Sequence, residues 1–334
     1  MLIKAPAKIN LTLRIISKRA DGYHEISSEM QAIRLFDEVD ISLSAGRDGA
    51  NSITCRVGQG GENRFSLSGV PEGQGNLAWW AAELAIKTWR PGLKEGLSVD
   101  IVLRKNIPAA AGLAGGSSNA AAVLLGLAKE LKPEAELDEI AALGAKLGAD
   151  IPFCLYSCAE ANPELGYEGK GLALAEGIGD LILPVHARTP GQESRRAKVL
   201  LVKPDIEVST KAIFELYDQE SPEPAVHQTE SPNDLEEYCT RAYPAVAEAI
   251  KVLNEIRHQP QKGQAKNGSL PAKIQLTGSG PTVFVYIPVP ARWGGGFSHS
   301  GELCENEFNE AVHCLYTRAR AAFPSMFVHL TETL

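Results

Sequence analysis

No stretch of the 334-residue sequence approaches the roughly 20 consecutive apolar residues that cross a bilayer. The N-terminal segment is interrupted by Lys4, Lys8, Arg14, Lys18 and Arg19 before any signal-like run forms. A cytoplasmic protein with no membrane partner is expected. There is no long basic run either, and 33 Lys and Arg stand against 41 Asp and Glu, a formal charge of −8. That excludes the diffuse attraction by which a protein holds a nucleic acid, and leaves room for a small anion held by local groups. Cysteine is thin: Cys55, Cys154, Cys158, Cys239, Cys304 and Cys314 are scattered, which suits reduced thiols rather than a disulfide framework. Cys154 and Cys158 have helical spacing, but no histidine lies near them in sequence to complete a zinc set, so no structural metal is expected. Internal repeats are absent as well.

What is present is a globular composition, 44% apolar and 22% charged, enough for two domains. Polar and apolar residues alternate in "AKINLTLRII", "VDISLSA" and "SVDIVLRKN", which predicts strands. Residues 76–90 have helical periodicity, with Asn76 as N-cap and Pro91 as stop. Two amphipathic helices, "NAAAVLLGLAKEL" and "LDEIAALGAKLGAD", follow around Lys132-Pro133-Glu134, and 159–196 reads as loop. A boundary near 190 then gives domains 1–190 and 191–334. Beyond it come strand 197–204, helices 209–219 and 243–256, strands 272–278 and 282–288, helix 307–323 and strand 326–332. That order fits an α+β sandwich. Segments 257–272 and 291–303, rich in Gly, Pro, Gln and Ser, read as surface loops.

Chemistry concentrates in "AAAGLAGGSSNAAA", 109–122, where glycines stand directly before alanines. Gly112, Gly115 and Gly116 give access to backbone angles closed to other residues and let a ligand approach the main chain. With Ser117 or Ser118 capping a helix that begins near Asn119, the first-turn amides and the positive helix end suit a di- or triphosphate. Neither GxxxxGK[ST] nor GxGxxG with a following acidic residue is present. A plain structural turn is the other reading of such a stretch.

Phosphoryl transfer also requires charge neutralisation and an oriented acceptor hydroxyl. Lys8 in "PAKINL" and Asp150 in "KLGADIPF", before a turn at Pro152, are candidates: brought within reach, they would share the acceptor's proton. Alternatively they are an edge lysine and a turn aspartate. In "DGYH", 21–24, the ordinary reading is a turn, a buried tyrosine and a surface histidine, and the functional one is a stacking ring with a donor and acceptor suited to a base edge. "LTGSGPTVF", 276–284, is a glycine turn between strands whose Gly278 and Gly280 could bring amides to a ligand.

Together, "PAKINLTL", "IPAAAGLAGGSSNAA" and "LTGSGPTVF" resemble the kinase superfamily of galactokinase, homoserine kinase and mevalonate kinase. The longer "PAKINLTLRIISKRADGYHE" with "LGADIPF" and "SPNDLE" is similar to its 4-diphosphocytidyl-2-C-methyl-D-erythritol kinase family, over residues 3–158 and 175–290. The resemblance implies two domains with the active site in the cleft between them, ATP with Mg2+, and a CDP-methylerythritol acceptor. It implies Asp150 as catalytic base with Lys8 beside it, Asn10 positioning the acceptor arm, and Tyr23, His24 and Phe214 around the cytosine. ATP would be held by Pro108, Ala111, Gly112, Leu113, Ala114, Gly115, Gly116, Ser117 and Ser118, with Asn76 and Lys105 near its base or sugar and Gly278, Ser279 and Gly280 closing the far side. No metal ligand is implied, and the protein would be a monomer or homodimer. Ala114 stands where many relatives carry glycine and is expected to be tolerated if its φ is negative. Extra material near 160–171, 257–272 and 291–303 departs from the family pattern. Another small-molecule kinase of the superfamily, or a nucleotide-binding relative without catalysis, are the alternatives.

Overall fold

The computed structural model describes residues 1–46, 49–61, 65–91, 96–184, 196–221, 231–258, 270–290 and 305–334. Contacts divide the chain into two units, Met1–Val185 with Leu334, and His186–Thr333. The boundary near residue 190, most of 257–272 and all of 291–303 lie outside the described residues.

In the first unit, β1 (Leu2–Asn10), β2 (Arg14–Lys18), β3 (His24–Ala45), β4 (Ser52–Gln59), α1 (Leu77–Trp89), β5 (Leu97–Lys105) and α2 (Gly115–Leu131) come in order. They are followed by α3 (Leu137–Gly144), α4 (Ile151–Ala161), β6 (Leu172–Glu176) and β7 (Leu181–Pro184). The strands form a seven-stranded sheet in the order β4-β5-β3-β6-β7, with β1 and β2 also paired to β3. Among the described residues of this unit only β4 and β5 run parallel.

The run expected as one strand over 7–16 is two. At Leu11–Leu13 the ladder gives way to local bonds, with Leu11 N donating to Glu29 O (2.7 Å) and Glu29 N to Thr12 Oγ1 (2.9 Å). Along β5, Val99, Ile101, Leu103 and Lys105 alternate inward, so strand parity carries a lysine into the interior. Asn76 caps α1, accepting from Ala78 N at 3.0 Å, as its position implies. Helix α2 lies close on the sheet: a Cβ at Gly126 would stand 2.7 Å from Ile41 Cδ1 and 2.8 Å from Ile3 Cδ1. Its alanine face joins Ile3, Val39, Ile41, Val99, Ile101 and Leu103 in the main core, where each fully buried Ile or Leu contributes about 1.5–3 kcal/mol.

Three expectations change. The helix expected over 137–150 ends at Gly144, and the turn expected at Pro152 is the first turn of α4, where proline's missing N–H costs nothing. The loop expected from 159 likewise contains the end of α4 together with β6 and β7.

The second unit contains β8 (Ala197–Lys203), α5 (Thr210–Glu220), α6 (Glu236–Ala242), α7 (Pro244–His258), β9 (Lys273–Leu276), β10 (Val283–Pro288), α8 (Glu305–Ala322) and β11 (Phe327–Glu332). Its sheet is antiparallel in the order β11-β8-β10-β9. Fully buried Val199, Leu201, Phe284 and Val285 and nearly buried Phe308 form its interior.

Candidate active site

The glycine stretch leads from β5 into α2 through a chain of left-handed residues: Ala110 at φ 48°, Gly112 at 72° and Ala114 at 56°. Helix α2 starts at Gly115, four residues before the expected position, and its N-cap is Ala114. Neither serine caps it. Ser118 is fully buried, with Oγ facing Cys158 Sγ at 3.8 Å, and Ser118 N makes the intrahelical bond to Ala114 O at 2.9 Å. The amides of Gly115, Gly116 and Ser117 precede that bond and have no acceptor within the helix. Gly115 and Gly116 are therefore helical, and of the three glycines only Gly112 uses positive φ. What Gly116 supplies is space, since a Cβ there would meet nothing within 4 Å. Ala114 departs from the negative φ on which its tolerance was premised; an L-residue in this region carries about 1–2 kcal/mol of strain. Pro108, Ala111 and Leu113 are buried and fix the stretch from within.

Beneath the first turn lies a buried ionic cluster. Lys105 Nζ is paired with Asp37 and donates to Asn119 Oδ1 at 2.8 Å. Asp37, fully buried, also accepts from Asn106 N (2.7 Å), Ile107 N (2.9 Å) and Asn119 Nδ2 (2.9 Å). A Cβ at Gly115 would stand 3.2 Å from Lys105 Nζ, so the lysine supports the loop from inside. Its ammonium is committed to Asp37 and Asn119.

Lys8 is held in the same unit. Its backbone N donates to Leu113 O at 3.1 Å, which ties β1 to the glycine stretch. Its Nζ donates to Asn10 Oδ1 at 2.7 Å and lies 3.8 Å from Asp150 Oδ1. The lysine side chain is 7% exposed and that of Asp150 36%, so the pair has a buried cationic side and an open carboxylate side. Asp150 precedes α4 without capping it by its side chain, which leaves the carboxylate available. The far end of α4 is pinned by Asn162, which donates to Lys4 O (2.8 Å) and Cys158 O (2.7 Å) and accepts from Lys4 N (2.9 Å). Behind the pair sits Cys154, whose thiol pKa is pushed well up by burial and by the Asp150 charge, against a lowering from Lys8.

Tyr23 is 63% exposed and His24 8%, the reverse of the buried tyrosine and surface histidine that an ordinary turn would give. Gly22 takes φ 88° in the turn, Tyr23 N donates to Asp21 Oδ1 at 3.1 Å, and that bond leads in holding the Asp21 carboxyl below its usual value. Asn76 Nδ2 donates to Pro71 O at 2.8 Å, so both ends of its amide serve the start of α1.

In the second unit, Phe214 is half-buried on α5. Gly278 (φ 58°), Ser279 and Gly280 (φ 96°) form the turn from β9 to β10. Ser279 Oγ is 2.8 Å from Thr210 Oγ1, and Asn233 of "SPNDLE" donates to Leu276 O (3.0 Å) and Gly278 O (2.8 Å). Asn233, Asp37 and Asn119 are structural partners of candidate residues, and Asn162 anchors the helix that Asp150 precedes; the sequence reading gives none of the four a role. The parity of Lys105 with Val99, Ile101 and Leu103 was the one available signal.

Among the described residues no three His, Cys, Asp or Glu converge as a metal cage, and no helix is long and apolar enough to cross a membrane. Residues 76–158, from the cap of α1 to α4, match the family model for the GHMP kinases N terminal domain. The chain is 36% identical over 316 residues to the 4-diphosphocytidyl-2-C-methyl-D-erythritol kinase of Geobacillus sp. (strain WCH70), covering 92% of this chain and 95% of that protein. It is 38% identical over 310 residues to the kinase of the same name from Shouchella clausii (strain KSM-K16), with 87% and 86% covered. Its fold is similar to a crystal structure of 4-(cytidine 5'-diphospho)-2C-methyl-D-erythritol kinase, with a TM-score of 0.62 at 24% identity and 100% of both chains covered. That likeness shows the two-domain α+β fold.

Proposed function

The chain belongs to the 4-diphosphocytidyl-2-C-methyl-D-erythritol kinase family, and on that premise we propose that it transfers the γ-phosphoryl group of ATP to the 2-hydroxyl of 4-diphosphocytidyl-2-C-methyl-D-erythritol in the non-mevalonate route to isoprenoid precursors. The observation that carries this reading is the Lys8–Asp150 pair at 3.8 Å, on a strand bonded at Lys8 N to the glycine stretch.

The triphosphate binds at the first turn of α2, where the amides of Gly115, Gly116 and Ser117 and the positive helix end meet its charge. The open side of Gly116 supports close approach there. Asp150 takes the proton of the acceptor hydroxyl as its oxygen bonds to the γ-phosphorus and the bond to the ADP oxygen breaks; ADP leaves with the electron pair. The Lys8 ammonium, 3.8 Å from Asp150, offsets charge on the transferred group. Mg2+ would accompany ATP and offset the charge of its phosphates. Tyr23 stacks on the cytosine and His24 reads its edge, which an exposed ring beside a buried imidazole supports; Asn10 and Phe214 complete the acceptor contacts. Lys105 and Asn76 act on ATP indirectly, by supporting the loop and the start of α1. The enzyme works in the cytoplasm, as a monomer or homodimer.

The test is Mg2+-dependent ADP release with CDP-methylerythritol and, in parallel, mevalonate, on wild type and Asp150→Ala. Activity with the first acceptor alone, falling about 10²–10⁴-fold in the variant, is expected. Preference for mevalonate would overturn the substrate assignment, and an unimpaired Asp150→Ala would overturn the base.

A further inference from the structure

The hydroxyl of Ser28 is fully buried on β3, ahead of the "VDISLSA" end of that strand which the sequence pattern predicts. It donates to the carbonyl oxygen of Thr12 at 2.7 Å and receives Nδ2 of Asn10 at 2.7 Å. A carbonyl oxygen only accepts, so the single hydroxyl proton is committed to Thr12 and lone pairs alone face Asn10. The Asn10 amide must then turn its NH2 to Ser28 and its oxygen to Lys8, whose Nζ can only donate and does so at 2.7 Å. Every donor and acceptor from Thr12 O to the Lys8 ammonium thus has one orientation.

We propose that Ser28 is a positioning residue for phosphoryl transfer: it holds the Asn10 amide the way round that keeps the Lys8 ammonium beside Asp150. The proposal rests on the kinase reading of Lys8 and Asp150. Without the hydroxyl, an unturned amide loses the Ser28 acceptor of its NH2, and a turned one aims NH2 at an ammonium. The turned amide removes the acceptor of Lys8, and the unturned one keeps it without the Ser28 bond that holds it in place. The effect is confined to this pair, because the glycine stretch is bonded to β1 through Lys8 N, which the Ser28 side chain does not touch.

The experiment is steady-state kinetics with ATP and CDP-methylerythritol on wild type, Ser28→Ala, Ser28→Thr, Asn10→Ala and the Asn10→Ala/Ser28→Ala double variant, each checked by thermal melting. For Ser28→Ala, kcat is expected to fall about 10–100-fold, the scale of a displaced catalytic group. KM for ATP stays unchanged, and Ser28→Thr, which retains the hydroxyl, recovers most of the turnover. In the Asn10→Ala background Ser28→Ala should add nothing, because no amide is left to orient. Wild-type turnover in folded Ser28→Ala, or losses that multiply in the double variant, would overturn the proposal. A wild type that ignores CDP-methylerythritol would refute the substrate reading alone; the same cycle on the acceptor it does use would still decide the role of Ser28.

Discussion

Replacing Lys105 by methionine keeps most of the side chain's length and removes its charge, leaving Asp37 fully buried without a cation. Breaking a buried ion pair from one side costs about 3–5 kcal/mol. Three donors to Asp37 survive, the amides of Asn106 and Ile107 and Nδ2 of Asn119, which argues for the lower end, about 3 kcal/mol. For a unit of this size, at about 2–4 °C per kcal/mol, Tm should fall by roughly 6–12 °C. Removing both charges, as Lys105→Met with Asp37→Leu, should not restore stability as it does for simple ion pairs. Two backbone amides would lose their acceptor, at about 1–3 kcal/mol each. Differential scanning calorimetry on the two variants reads both effects, and ATP kinetics on Lys105→Met should show KM rising as the first turn of α2 loses its support. A Tm change under about 2 °C for Lys105→Met would refute the reasoning, since it would mean that water already reaches Asp37.

The two glycines at the start of α2 should respond differently to alanine. Gly116→Ala fills open space and should leave Tm unchanged or slightly raised while KM for ATP rises at least about tenfold, whereas Gly115→Ala meets Ile107 Cγ2 at 3.0 Å and should cost about 1–3 kcal/mol in calorimetry. Burial drives the thiols of Cys55 up to about 11 and of Cys158 and Cys239 up to about 12, and Cys154 well up also. At pH 8 about one in a thousand of the Cys55 groups, and fewer of the others, would be thiolate, so alkylation followed by mass spectrometry should label half-buried Cys314 before any of these four. His329, stacked on Phe327 with ring centroids 5.8 Å apart, has its pKa lowered by burial below 6.5. The folded state then binds fewer protons than the unfolded one below that value, so stability is complete above it and declines as pH falls. His329→Phe should flatten the acid side of a Tm-against-pH curve, and an unaltered slope would count against the burial.

Elements with one clean period were legible. Asn76 stands before an amphipathic run, and "SVDIVLRKN" alternates strictly, so α1 and β5 follow from the sequence. Helix α4 does not: "IPFCLYSCA" is buried on every side, and a helix without a polar face has no amphipathic period. Most of β3 escaped for a related reason, since partners on both edges and cover on both faces break its alternation over Met30–Ile33. The start of α2 was misjudged because glycine is a poor helix former, yet here Gly115 and Gly116 are helical so that their missing side chains leave room. Lys8, Asp150 and the glycine stretch were visible as residue types in short motifs. Ser28, Asp37 and Asn162 were not, because each acts through a bond to a chain segment between 16 and 158 positions away.

Strand β3 carries Ser28 near one end and Asp37 further along, and so serves both the Lys8–Asp150 pair and the support of the glycine stretch. Side chains alternate along the paired stretches on either side of one register shift, where the partners on β1 pass from Ala7 with Ile33 to Pro6 with Phe36, so losing or gaining one residue within either paired stretch would turn Ser28 or Asp37 to the opposite face. The length of this segment is consequently fixed in a way that its composition is not. Over time such an enzyme can exchange side chains along β3, but it can lengthen or shorten only beyond the strand's ends, toward the turn at Asp21–Gly22 or past Ala45. Related sequences should therefore align through 28–37 without gaps even where most of the residues there differ.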